Sequence, residues 1–238
     1  MKTDLDKFPS FQGLERATSG FLASLGPTDP RGFDDFSKRS LGKLVRDARS
    51  SWVRTILIGS NTYYVKTYDY PDLRARYRGW FRNTAFAESR PEREWRALQW
   101  LRGKGFPSPI PCAVFIGRLA TGIRRATLVT EAWPGVSLDL LLPELCEADR
   151  TSLITATHDQ IIRMHALGFR DRNLGLRNLL AARGAAGAWI IAKIDSPRFR
   201  LVDPGGKQDR LAREDWQRLG SSLARLGMRL PLGRSIEA

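Results

Sequence analysis

His165–Leu180 reads H-A-L-G-F-R-D-R-N-L-G-L-R-N-L-L, and its spacing decides how the rest of the chain is read. A helical pattern stops at Gly168, an aromatic follows, and Asn173 and Asn178 stand five positions apart before two leucines. Phosphoryl-transfer loops use that interval: the first position orients the attacking hydroxyl, and the second holds a metal. The first position is ordinarily an aspartate, whereas this chain carries the amide Asn173, with Asp171 two residues earlier. The segment predicts a phosphotransferase scaffold with an altered proton-accepting group.

Immediately upstream, Asp149–Leu167 has helical spacing, with Leu153, Ile154, Thr157, Ile161 and Met164 facing inward and Gly168 as the stop. Downstream, Leu179–Ala182 and Trp189–Ile194 read as a strand pair around Gly184 and Gly187. Two acids compete for a last metal ligand. Asp195 follows the apolar run W-I-I-A-K-I, and Asp203 follows F-R-L-V. The shorter connection through the hairpin favours Asp195. A final helix is expected over Glu214–Leu226, with Trp216, Leu219, Leu223 and Leu226 on one stripe.

Toward the N-terminus, Val53–Ile58, Gly59-Ser60-Asn61 and Thr62–Tyr68 read as a β-hairpin that places Lys66 in its second strand. Ser89 with Glu92 three residues on, and Pro91 between them, predicts a capping box opening a helix that stops at Gly103. On that helix Glu94, Leu98 and Leu101 share a face. A carboxylate drawn toward a core needs a cation, and Lys66 is the candidate. A second hairpin turns at Thr121-Gly122, and Pro134-Gly135 marks a boundary between lobes. The organisation expected is an N-terminal extension (1–40), an N-lobe (41–134) and a C-lobe (135–238). Phe8, Phe11, Leu14, Phe21 and Leu22 would pack the extension onto the body.

Composition narrows the partners. With 39 Lys and Arg against 25 acids the net charge is +14 and the pI near 10.5, which favours anionic partners. The arginines are scattered and no nucleic-acid recognition motif is present, which argues against a nucleic-acid partner. Arg74–Arg82, with Tyr77, Trp80 and Phe81 interleaved, reads as a patch for an anionic membrane surface or glycolipid phosphates. Cys112 and Cys146 have neither metal nor disulfide spacing, and His158 and His165 read as structural. No secretory signal or membrane-length apolar run is visible. The expected location is cytoplasmic, peripheral to the inner membrane.

Lys66, Glu94, Asn173, Asn178 and a following aspartate occur in the order that phosphoryl transfer uses: a phosphate-binding lysine, its carboxylate partner, an acceptor-orienting residue and metal ligands. If the backbone were extended from 171 to 173, Asp171 would lie beside Asn173 as a substitute carboxylate. Pairing of Asp171 with Arg170 or Arg172 is the structural alternative.

The motifs Y-Y-V-K, R-E-W-R-A-L-x-x-L-R-x-x-G-F-P-S-P-x-P, L-V-T-E and H-A-L-G-F-x-D-x-N-L-x-x-x-N-L-L, spanning residues 50 to 226, resemble the bacterial lipopolysaccharide-core kinase family (Kdo/WaaP, including InaA-like members) of the protein-kinase-like superfamily. The resemblance implies an α+β, bilobal protein-kinase-like fold with a small β-rich N-lobe and a mainly helical C-lobe. It also implies ATP and Mg²⁺ as cofactors and a glycolipid sugar hydroxyl as acceptor. It assigns Lys66 and Glu94 to the phosphates, Glu131 to Trp133 to an adenine-holding hinge, and Asn178 and Asp195 to the metal. Asp171 and Asn173 stand where the family places His and Asp, so the expected activity is a weakened kinase, with a pseudokinase as the alternative. The short stretch after the last helix predicts an acceptor other than a protein.

Overall fold

Ser89 and Glu92 cap each other's backbone. Glu92 N–H donates to Ser89 Oγ at 3.3 Å, and Ser89 N–H donates to Glu92 Oε2 at 2.6 Å. This reciprocal cap, of a kind typically stabilising by about 1 kcal/mol, opens helix α1 (Arg90–Gly103) with Pro91 in its first turn. The computed structural model describes residues 14–19, 21, 42–48, 50–70, 88–119, 122–185, 187–203 and 210–230. The expected packing of Phe8, Phe11 and Leu22, and the basic connector Arg74–Arg82, lie outside the described residues.

The described chain divides into two compact units. One takes in residues up to Gln99 together with Ile110–Ala132, and the other Trp100–Pro109 and the residues from Trp133 onward. The first is built on six strands: β1 (Leu14–Ala17), β2 (Lys43–Ala48), β3 (Ser51–Ile58), β4 (Asn61–Asp69), β5 (Pro111–Leu119) and β6 (Gly122–Glu131). They form one antiparallel sheet in the order β1-β5-β6-β4-β3-β2. Gly59, at φ +59°, makes the two-residue turn between Ile58 and Asn61, a conformation that costs glycine little.

Alternation along these strands builds two apolar layers. Tyr63, Val65, Ala113, Phe115 and Val129 pack with Phe21 on one face. Val114, Ile116, Ala126 and Leu128 pack with Trp95 and Leu98 of α1 on the other. Lys66 opposes Leu128 across β4 and β6, which puts it on the α1 face. Thr67 and Thr127, also opposite each other, satisfy their buried hydroxyls with a 3.1 Å hydrogen bond.

The second unit is mainly helical. It contains β7 (Val136–Ser137), α2 (Leu138–Leu141), α3 (Glu147–Ala166), β8 (Phe169–Arg170), β9 (Leu179–Arg183), β10 (Trp189–Lys193), β11 (Arg200–Leu201) and α4 (Arg210–Ala224). The buried face of α3 is Leu153, Ile154, Thr157, Ile161 and Met164, as its periodicity predicts. Gly168 ends it at φ +83°, where an added Cβ would meet Val202 O at 2.2 Å. Only glycine fits there. Beyond it, Phe169 stacks between Trp100 at 5.0 Å and Phe199 at 5.4 Å, which fixes the strand leading into the loop. The last helix begins and ends earlier than its spacing predicts, and its buried stripe is Asp215, Leu219 and Leu223 instead of one running from Trp216 to Leu226.

Candidate active site

In the first unit, Lys66 Nζ donates to Glu94 Oε2 at 2.9 Å. Glu94 is 5% exposed, and the apolar face of α1 carries it inward. The lysine sits on the central strand β4, so strand register and helix phase together fix the pair. Glu131 closes β6, and its N–H donates to Ile110 O at 2.9 Å. Ala132 N–H donates to Thr62 O at 2.8 Å. The amides of these two residues, expected to hold adenine, are therefore committed to the sheet. Trp133 begins the second unit. Its ring lies against Gly135, where a Cβ would fall 2.1 Å from Trp133 Cζ3 and 2.8 Å from Ala181 O.

In the second unit, three of the predicted residues converge. Asn173 Nδ2 donates to Asp195 O at 2.8 Å and to Asp195 Oδ2 at 3.1 Å. Asn178, buried, donates from Nδ2 to Asn173 O at 2.8 Å. The backbone closes the circle, because Ile194 N–H donates to Asn178 O at 3.0 Å. Asp195 takes φ +57°, a left-handed conformation rare for a non-glycine residue. Asp203 is exposed and takes no part in these hydrogen bonds.

Asp171 does not lie beside Asn173. Arg172 between them adopts φ +58°, which breaks the extended backbone that would put both side chains on one side. Asp171 is 1% exposed, and its partner is neither Arg170 nor Arg172 but Lys193, whose Nζ lies 3.1 Å from Asp171 Oδ2. Arg170 instead donates to the His165 and Phe169 carbonyls. Lys193 is also fully buried, and its ammonium donates to Ile194 O. Neither oxygen of Asp171 has an aligned hydrogen bond, nor does the buried Ser196 Oγ. Burial pushes the Asp171 carboxyl up to about 6; Lys193 and Ser196 hold it down, and Asp215 adds to the rise.

Asp215 is one of two residues the sequence reading missed. Fully buried on α4, it accepts Asp171 N–H at 2.8 Å and Arg172 N–H at 2.7 Å. His165 Nε2 lies 3.4 Å away from it. The signal was present: Asp215 precedes Leu219 and Leu223 at four-residue intervals, a helix face shared with leucines as at Glu94. Lys193 was missed too, because a lysine ending an apolar strand reads as a solvated terminus.

Among the described residues no group of three or more His, Cys, Asp or Glu side chains is placed to hold a metal ion. The Asn178 amide and Asp195 carboxylate are instead a sparse set of hard oxygen donors, which suits Mg²⁺ shared with phosphate oxygens. No helix among the described residues is long and apolar enough to cross a membrane. Cys112 is buried and Cys146 exposed, both as free thiols.

A sequence profile of the lipopolysaccharide kinase (Kdo/WaaP) family matches residues 43–229. A search of curated proteins found no match. Among solved structures, WaaP in complex with acyl carrier protein is similar at TM-score 0.56 and 20% identity, covering 81% of this chain and 73% of that one. The Rio2 kinase–ADP/Mg²⁺–phosphoaspartate complex from Chaetomium thermophilum is similar at TM-score 0.57 and 15% identity. That match covers 82% of this chain and 59% of the other. These likenesses show a protein-kinase-like fold.

Proposed function

The chain belongs to the lipopolysaccharide kinase (Kdo/WaaP) family, and from that membership we propose that it transfers the γ-phosphoryl group of ATP to a sugar hydroxyl of the lipopolysaccharide core. The observation that carries this reading is the convergence of Asn173, Asn178 and Asp195 in one hydrogen-bonded set. Kinase chemistry is mostly positioning and charge stabilisation; in the second unit these three residues offer positioning, and in the first the Lys66–Glu94 pair offers a held cation. Lys66, held by Glu94, binds phosphate oxygens. Asn178 and Asp195 would hold Mg²⁺, which neutralises phosphate charge when bound. The acceptor oxygen bonds to the γ-phosphorus, the bond from that phosphorus to the β,γ-bridging oxygen breaks, and ADP leaves.

Asn173 accepts the acceptor's hydroxyl hydrogen bond through Oδ1, because its Nδ2 is committed to Asp195. It orients the hydroxyl but takes no proton, so the proton passes to a phosphate oxygen or to water. Loss of a general base lowers the rate by roughly 10²–10⁴, and the enzyme is slow. The test is transfer of γ-labelled phosphate from Mg-ATP to core oligosaccharide, eliminated by Lys66→Ala. Absence of label with enzyme in excess refutes the assignment.

A second reading, a nucleotide-binding pseudokinase, has one observation in its favour. The Asn173 amide is a hydrogen-bond donor placed against the Asp195 carboxylate, where an aspartate would meet like charge. Thermal stabilisation by Mg-ATP with no label transfer supports it over the first.

A further inference from the structure

The backbone leading into Asp195 is held at successive points. Lys193 N–H donates to Pro107 O at 3.2 Å, and Ile194 N–H donates to Asn178 O at 3.0 Å. Asp195 O accepts from Asn173 Nδ2 at 2.8 Å. Between these, the Ile194 carbonyl accepts from the side-chain ammonium of Lys193. That carbonyl belongs to the peptide group whose plane sets φ of Asp195, which stands at +57°. A left-handed aspartate persists only where its surroundings over-determine it.

Burying an ammonium to hold one carbonyl needs a reason. Lys193 is fully buried, and so is its counter-ion, Asp171, whose Oδ2 lies 3.1 Å from Nζ. A buried ion pair is seldom more stable than apolar side chains packed in its place. Ile191 and Ala192, just before Lys193 on β10, are both buried and apolar, so this strand end would accept an apolar residue. Stability does not account for the lysine. What the pair adds is geometric. Asp171 and Lys193 stand two positions before Asn173 and Asp195, so the same two segments are joined twice, by an ion pair and then by an amide on a carboxylate. Asp171 aims the ammonium, the ammonium aims the Ile194 carbonyl, and Asn173 holds the other side of Asp195.

We propose that Lys193 is a positioning residue for the metal-holding carboxylate: through the Ile194 carbonyl it keeps Asp195 in its left-handed conformation, with Asp171 as its counter-ion. The inference rests on the assignment of Asp195 to Mg²⁺ in the phosphotransferase reading. It adds a fully buried residue that acts on the metal only through Asp195. Groups that orient a ligand from behind typically change metal affinity by about 10–100-fold when removed.

The test separates metal affinity from stability. The full chain is saturated with ADP and titrated with Mn²⁺, and water-proton relaxation enhancement reports the ion held on the protein. Asp171→Asn/Lys193→Met removes both charges together and should melt close to the parent. It should nonetheless need about tenfold or more Mn²⁺ for half-saturation. Asp171→Asn alone keeps the ammonium and an acceptor oxygen beside it. That variant should melt below the double variant yet hold Mn²⁺ more tightly than the double variant does; if it fails to fold, the double variant decides alone. A double variant that binds Mn²⁺ like the parent overturns the proposal, as does affinity that simply follows melting temperature. So does a double variant that cannot fold, because the pair would then serve stability. Asp195→Asn is the control for the site. If the parent holds no Mn²⁺ that Asp195→Asn loses, the metal assignment within the phosphotransferase reading fails, and the role of Lys193 falls with it.

Discussion

Asn173 pins Asp195 through two hydrogen bonds from a single amide nitrogen, one to the main-chain carbonyl at 2.8 Å and one to the carboxylate at 3.1 Å. The residue expected to meet the acceptor therefore also fixes the residue expected to meet the metal.

Asn173→Asp replaces that donor with a second negative oxygen beside Asp195. Without divalent ion the variant should be less stable than the parent by about 1 kcal/mol, the low end of the cost of an unmet hydrogen-bonding group, because Asn173 and Asp195 are half-buried. Mg²⁺ should restore its melting temperature more than it raises the parent's. Label transfer should rise by roughly 10²-fold or more as a proton acceptor returns. Differential scanning fluorimetry with and without Mg²⁺, alongside the transfer assay, measures both effects.

Lys66→Met leaves the Glu94 carboxylate, 5% exposed, without its cation. A lone buried charge costs more than the missing pair, so Lys66→Met/Glu94→Leu should be more stable than Lys66→Met alone. Both variants should lose phosphate transfer. Urea denaturation midpoints of the two single variants and the double complete the cycle; additive effects would show that the pair is not coupled.

Lys193→Met strands Asp171 in the interior and should destabilise by about 3–5 kcal/mol, with Lys193→Met/Asp171→Asn recovering most of the loss. The pair also sets a pH dependence. The folded carboxyl of Asp171, at about 6, lies above its ordinary value of 3.8. Its contribution is thus fully present below pH 3.8 and is lost as pH rises through about 6. The loss amounts to about 3 kcal/mol when complete. The double variant lacks this group, so its stability relative to the parent should improve between pH 4 and pH 7.5. Denaturant unfolding at those two pH values reads the difference, and an unchanged gap would contradict the assignment.

Asp215→Ala removes the acceptor of two loop amides, Asp171 N–H and Arg172 N–H. Each orphaned group costs about 1–3 kcal/mol, and the loop loses its left-handed turn at Arg172. Asp215→Asn keeps one acceptor oxygen and should fall between Asp215→Ala and the parent in both melting temperature and transfer rate. Hydrogen exchange at the Arg172 amide should accelerate in the alanine variant.

Much of the architecture was legible because it is periodic. The α1 cap, the inward face of α3 and the Lys66–Glu94 pair follow from spacing alone, since strand alternation and helix phase leave few other arrangements. The carboxylate at 215 escaped because the stripe was anchored on Trp216, one position over; the larger apolar side chain outweighed an acid whose reward is two backbone amides. The fate of Asp171 was illegible for a different reason. It turns on a left-handed arginine and on a lysine 22 residues away, and neither leaves a mark in local pattern.

The buried Asp171–Lys193 contact also constrains how this chain can drift. Losing either member alone passes through a poorly folded intermediate, so the two codons are tied in ancestry although different elements carry them. A neutral side chain at 171 becomes accessible only together with an apolar replacement at 193. Sequence histories of its relatives should show those two sites changing in concert.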